Sequence, residues 1–306
     1  MGASWSELRS SWPAEELSLD DYVSSKEAVS PGVNPFDDDE LPDHGPGVAE
    51  TNHAALAGSL DIAVDPYSHR DLSEIAADDH VTPEWPTGLL GGTWLTHFRG
   101  VTFLSGGPSA GKSYLACASA VNAGRQNWRT LYFTSEMSDI QVYHRMRARA
   151  GGALPYGLSI HEVGFGASVS TFVDVVCREV VEAKMLIVID SLSSFVDQSG
   201  VDPGEDVHRM GPLKRITMWA MNVRRATRGN VGFLLLSEVN AQGMTKGRIG
   251  DHKADMSVSL VSDPDTPALK HIKVVKAWEG VTGEAGTFRL SHDRGSLVKV
   301  NNEGEE

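Results

Sequence analysis

From residue 101 onward, short apolar runs alternate with longer segments of helical character. Residues 101–105 (VTFLS), 129–134 (RTLYFT), 185–190 (MLIVID) and 231–237 (VGFLLLS) predict strands, and 158–163 a shorter one. Their apolar residues run on rather than alternate, the pattern of strands covered on both faces. Helices are predicted at 112–124, 138–149, 169–183 and 211–227. Ser138 is placed to cap the second of these, and Gly151-Gly152 to close it. The alternation predicts an α/β fold with a mostly parallel central sheet and helices on both faces. From residue 257 the pattern turns to strands alone, at 257–262, 268–277, 286–291 and 296–300. The turn Asp263-Pro-Asp-Thr-Pro267 and the loop 279–286 suit hairpins, so C-terminal antiparallel strands are expected. Residues 82–92 (TPEWPTGLLGG) read as a turn-rich lead-in to the first core strand, and no internal repeat is present.

Charge divides the chain. Residues 1–80 hold 18 acidic and 3 basic residues; the remainder holds 23 and 24. The net charge of −14 therefore belongs to the N-terminal segment and does not argue against a polyanionic ligand elsewhere. With six prolines, the run Asp37-Asp-Asp-Glu40 and few apolar residues, 1–80 predicts a largely disordered acidic tail. Within it Trp5, Leu8, Trp12 and Leu17 could form a short amphipathic helix that docks on a partner, or be a few apolar residues of a solvated tail. Residues 81–300 are expected to form the folded domain and 301–306 a disordered end. No apolar run nears the ~20 residues that span a bilayer, and the first residues lack the basic and apolar regions of a secretory leader. Cys117 and Cys177, both in predicted helices, suit buried thiols in a reducing cytoplasm, the expected location.

The chemistry centres on residues 106–113, GGPSAGKS, which satisfy the G-x-x-x-x-G-K-[ST] pattern between a predicted strand and a predicted helix. In that context backbone N–H groups and the helix dipole suit phosphate oxygens. Gly106, Gly107, Pro108, Ser109, Ala110, Gly111, Lys112, Ser113 and Tyr114 are accordingly the expected nucleotide-binding residues. Lys112 is expected on the β- and γ-phosphates and Ser113 on Mg²⁺, which makes ATP and Mg²⁺ the expected cofactors. Asp190 ends an apolar strand, where a carboxylate can complete the Mg²⁺ shell; the alternative is a helix-capping Asp. Hydrolysis also needs a base near the γ-phosphate. No acid follows Asp190 in Ile189-Asp-Ser-Leu192, so the candidate is Glu136, just past the second strand; the alternative is a cap for the next helix. In a parallel sheet the C-terminal strand ends share one edge, which would bring Glu136, Asp190 and the glycine loop together.

These segments, GGPSAGKS, LYFTSEMSDIQVYHRMRA, MLIVIDSLSSF, FLLLSEVN and HIKVVKAWEGVTG, resemble in that order the RecA-like P-loop ATPases over roughly residues 85–300. The SEMS segment with its helix looks most like the hexameric replicative helicases of the DnaB and RepA type. The KVVK strand looks like RecA, and residues 243–255 look like RecA and RadA. The resemblance implies an ATPase that works as a homo-oligomeric ring or filament, with ATP between subunits and single-stranded DNA along the axis. It assigns Lys112 and Ser113 to phosphate and metal, Glu136 to the catalytic base and Asp190 to the Walker B acid. It sets Lys276 where the family supplies a cation to the neighbouring subunit's γ-phosphate; a solvent-facing strand lysine is the alternative. The sensor position after the FLLLS strand falls on Glu238, with Asn240 as a second polar candidate. The chain departs from the pattern twice. Lys276-Ala-Trp278 lacks the arginine of a Lys-x-Arg pair, and Glu238 stands where glutamine is usual.

The glycine-rich loop 240–253 carries Lys246, Arg248, His252 and Lys253, the expected DNA-binding residues, in a composition suited to a phosphate backbone without base readout. Residues 196–210 (VDQSGVDPGEDVHRM) are acidic and make a poor phosphate surface. Three functions follow: a DnaB-like motor that translocates on single-stranded DNA and unwinds duplex in replication; a RecA- or RadA-like recombinase; or a regulatory ATPase that switches a protein partner through the acidic tail. The SEMS segment favours the first.

Overall fold

A computed structural model of the chain describes residues 82–164, 184–194, 216–225, 229–239, 254–278 and 280–300, together with 172, 175, 176 and 227. The four apolar runs are strands β3 (Val101–Gly106), β4 (Arg129–Thr134), β6 (Met185–Asp190) and β7 (Val231–Glu238). Helix α1 (Lys112–Arg125) follows β3; α2 (Asp139–Ala150) lies between β4 and β5 (Leu158–Glu162). The chain ends in β8 (Met256–Ser262), β9 (Leu269–Ala277), β10 (Gly283–Ser291) and β11 (Ser296–Lys299). Among the described residues these form one sheet in the order β11-β10-β9-β8-β3-β7-β6-β4-β5. From β8 to β5 all neighbours are parallel; β9, β10 and β11 add antiparallel. The prediction of a parallel sheet with antiparallel C-terminal strands therefore holds, and β8 is the strand that joins the two halves.

Local sequence explains the elements near the site. Every residue of β3 and β6 is buried, which is why neither shows a period of two. Helix α1 is rich in alanine, with Ala116, Ala118, Ala120 and Ala123 fully buried, so it lies close to its neighbours instead of presenting one apolar stripe. Helix α2 turns only Val142 and Met146, four residues apart, into the core. Ser138 caps it reciprocally with Gln141, and Gly151, in the left-handed region at φ 68°, closes it.

Register sets where the chemistry falls. Gly106 is level with Glu238 on β7, and Thr134 is level with Asp190 on β6. The ends of β3, β4, β6 and β7 therefore open on one edge of the sheet.

Two boundaries differ from the sequence reading. Residues 82–92 are not only a lead-in: Glu84–Pro86 forms β1, which pairs antiparallel with β2 (His97–Arg99). Strands of three residues are too short to carry a periodic signal, but Trp85 is fully buried and packs on Phe98 and Trp128. The segment is fixed against α1 where Ser119 Oγ donates to the Pro86 carbonyl at 2.8 Å. Strand β10 begins at Gly283, before the predicted 286, because Gly283 and Glu284 pair with β9 across an irregularity ahead of Gly286. The predicted helices 169–183 and 211–227 are seen in part: residues 172, 175, 176 and 216–225 are helical. The predicted disordered ends, 1–80 and 301–306, lie outside the described residues.

Candidate nucleotide site

The loop after β3 is shaped by close contacts and left-handed backbone. A side chain at Gly106 would meet the Leu260 carbonyl of β8, so the strand-to-loop exit requires glycine. Gly111 precedes α1 at φ 96°, and Ser109 also has positive φ, at 57°. Such backbone is costly for a serine and is retained where the loop must curl around something. Lys112 folds back into the curl, and its Nζ donates to the carbonyls of Gly106 and Gly107, both at 2.9 Å. Burial draws its pKa below the ordinary lysine value. Glu136, Glu238 and Asp190, in that order, act against this by attraction.

Those three carboxylates are the acids named from the sequence, and the structure gathers them around one ammonium. Asp190 is buried at the end of β6, with Ser113 Oγ donating to its Oδ1 at 3.2 Å and Tyr132 Oη donating to Oδ2 at 2.6 Å. Glu136, just beyond β4, accepts hydrogen bonds on Oε1 from Ser191 and, at 2.7 Å, from Ser194. It does not cap α2, since Ser138 fills that position. Glu238 ends β7 level with Gly106, and the next amide, Val239 N–H, donates to the Gly106 carbonyl at 3.3 Å. Tyr114, in the first turn of α1, shares a 2.8 Å hydrogen bond with His292 Nδ1, and the Arg145 guanidinium lies 4.4 Å from its ring centroid.

Lys276 is elsewhere. It pairs with Ser257, which is level with Phe103, three residues back from the loop along β3. Three residues along the strand at roughly 3.3 Å each and two strand spacings of about 4.8 Å across the sheet put its backbone on the order of 14 Å from Gly106. Its Nζ donates to the Ala254 carbonyl at 2.6 Å and lies 5.6 Å from the Trp278 ring centroid. The sequence reading gave Lys276 a role toward a neighbouring subunit's γ-phosphate, and its register sets it back from the chain's own loop. Asn240, Lys246, Arg248, His252 and Lys253 lie outside the described residues, as does the acidic stretch 196–210.

Ser113 and Asp190 fit a magnesium-bound nucleotide. Both offer hard oxygen atoms from opposite elements, and among the described residues no group of three or more His, Cys, Asp or Glu could hold a metal alone. A hydroxyl plus one carboxylate is the partial donor set of an ion carried in by phosphates. Three contributors escaped the sequence reading: Tyr132, Ser191 and Ser194. Tyr132 reads as one more apolar strand residue, although a buried phenol needs an acceptor. Ser191 and Ser194 carry no pattern of their own.

Burial also raises the Asp190 pKa to about 6, against hydrogen bonds from Tyr132 and Ser113 that lower it. A carboxyl whose folded pKa is raised contributes stability at low pH that is lost as pH rises through the folded value. In the metal-free protein, Asp190→Asn imitates the protonated form. The variant is therefore expected to exceed wild type by about 1–3 kcal/mol at pH 8, since a tenfold change in proton affinity is worth about 1.4 kcal/mol. The gap should narrow as pH falls below about 6 and close near pH 4, the ordinary carboxyl value. Chemical denaturation across that range checks it; a gap independent of pH would show that the ionised carboxylate carries no penalty.

No protein-family model matches the sequence, and no curated protein matches it. Similarity appears among solved structures. A KaiC-like protein from Pyrococcus horikoshii OT3 superposes with a TM-score of 0.55 at 15% identity, over 72% of this chain and 100% of that one. A DnaB-like replicative helicase, solved in a study of its interactions with primase, superposes with a TM-score of 0.52 at 14% identity, over 66% of this chain and 57% of that one. At these identities the likeness is one of fold alone: a RecA-like α/β fold with a mostly parallel central sheet. Among the described residues no helix is long and apolar enough to cross a membrane.

Proposed function

We propose that the protein is an ATPase of the RecA and DnaB type that couples hydrolysis at subunit interfaces to movement on single-stranded DNA, unwinding duplex in replication. The observation that carries the ATPase reading is the convergence of Lys112, Ser113, Asp190 and Glu136 at one edge of the sheet. The loop amides and Lys112 hold the phosphates, and both stabilise charge that grows on the transferred group. Bound Mg²⁺ would neutralise phosphate oxygens, with Ser113 and Asp190 as its protein side. With Oε1 held by Ser191 and Ser194, Glu136 keeps Oε2 to accept a proton from water. The water oxygen bonds to the γ-phosphorus as the bond to the β–γ bridging oxygen breaks, giving ADP and phosphate.

The motor reading draws on the SEMS segment, on the cationic glycine-rich loop with Lys246, Arg248, His252 and Lys253, and on the fold shared with a DnaB-like helicase. In that reading the active form is a homo-oligomer, a ring or a filament. A regulatory ATPase acting on a protein partner is the second reading. It is favoured by Trp278 in place of an arginine and by the hold of the Ala254 carbonyl on Lys276. Steady-state hydrolysis with and without single-stranded DNA separates them. Stimulation of about tenfold or more is expected for a motor; DNA-indifferent turnover would leave the ATPase and remove the motor.

A further inference from the structure

The Asp190 carboxylate is held from two sides by elements that flank β6. Ser113 comes from the first turn of α1 and donates to Oδ1 at 3.2 Å. Tyr132 comes from β4 and donates to Oδ2 at 2.6 Å, the shorter of the two bonds. Register explains the reach of the phenol. Thr134 is level with Asp190 and Tyr132 is level with Val188, so Tyr132 lies two residues back on the same sheet face. Its ring leans along the strands and brings the hydroxyl to the carboxylate. Cys117 lies one helical turn after Ser113 on α1, and its thiol donates back to the phenol oxygen at 3.7 Å. The order of donation is thiol to phenol, phenol to Oδ2. Tyr132, Cys117 and Asp190 are all fully or almost fully buried, so water does not substitute for any of them.

We propose that Tyr132 is a positioning residue: its phenol fixes Oδ2 of Asp190, so that Oδ1 is turned to Ser113 and to the magnesium that enters with the nucleotide. The inference rests on the metal role of Asp190 proposed above. A carboxylate at the end of a strand has a free rotation about its last bond, and an ion completed by phosphates tolerates little misplacement. A phenol that holds one oxygen removes that rotation without touching the ion, as outer partners of metal ligands do. The competing account is packing. A buried tyrosine hydroxyl has to find an acceptor, and Asp190 is the acceptor at hand. On that account Tyr132 supports the core and has no bearing on metal.

The two accounts separate in a double-mutant cycle on Tyr132→Phe and Asp190→Asn, read by binding and not by turnover. A fluorescent ADP analogue is titrated with Mg²⁺ on wild type, both single variants and the double variant, with thermal denaturation alongside. Tyr132→Phe is expected to raise the Mg²⁺ concentration for half-maximal binding by about tenfold, the low end of outer-partner effects. Metal-free affinity for the analogue should stay at the wild-type value. In the Asp190→Asn background, Tyr132→Phe should add nothing, because the group it acts through is gone. Tyr132→Met, a second non-donor, should behave like Tyr132→Phe and serves where the phenylalanine variant does not fold. A Mg²⁺ midpoint unmoved by Tyr132→Phe while Asp190→Asn raises it would overturn the inference and leave the metal reading standing. Additive effects in the double variant would overturn it in favour of packing. A midpoint unmoved by Asp190→Asn would remove the metal role of Asp190, and the inference with it.

Discussion

ATP turnover by Lys112→Ala is expected to fall by two to three orders of magnitude, with nucleotide affinity falling as well. Loss of one preorganised donor to developing charge costs about 10²–10³ in rate. At Lys112 the loss goes further, because the ammonium is the cation that Glu136, Glu238 and Asp190 all act on. Without it an anionic ligand would meet three carboxylates across a loop stripped of its charge. Phosphate release and equilibrium binding of a fluorescent ATP analogue check the two parts. Wild-type turnover in the variant would exclude this loop as the hydrolytic centre.

Glu136→Gln separates chemistry from binding. Glutamine keeps an oxygen to accept from Ser191 and Ser194, so the local hydrogen bonds persist. What it lacks is a group that takes a proton. Turnover should therefore drop by about 10²–10⁴, the usual contribution of a general base, while nucleotide affinity stays within a few-fold of wild type. Single-turnover hydrolysis beside a binding titration reads both. Glu238→Gln is the comparison, since Glu238 is the second glutamate acting on Lys112 and lies level with Gly106. If Glu238→Gln stops turnover and Glu136→Gln does not, the base has been assigned to the wrong strand end.

The contrast between these two variants also bears on the neighbouring subunit. A cation supplied in trans would act on the same charge as Lys112 but leave binding by the isolated chain intact. Lys276, held to the Ala254 carbonyl beside Trp278, keeps two further ammonium N–H donors for such a role.

Much of the fold was legible because its signals are local. A phosphate loop between strand and helix is one contiguous pattern, and unbroken apolar runs announce strands covered on both faces. The Ser138 cap and the Gly151 stop follow from backbone needs within a few residues, and the change to antiparallel strands after residue 257 follows from turn chemistry. The strands β1 and β2 were not legible, because three residues cannot show a period and Trp85 is placed by Phe98 and Trp128.

The site divides along the same line. The sequence by itself determined Lys112, Ser113, Asp190 and Glu136 as a set, since parallel strands deliver their C-terminal ends to one edge whatever their spacing in the chain. Only the tertiary structure decided what each of them touches. That Glu136 is held by serines from the end of β6, that Tyr132 grips Asp190, and that Lys276 lies away from the chain's own loop are matters of register between strands. Hydrogen bonds reach about 3 Å, and no spacing along a chain specifies which groups come that close once sheet and helix have packed.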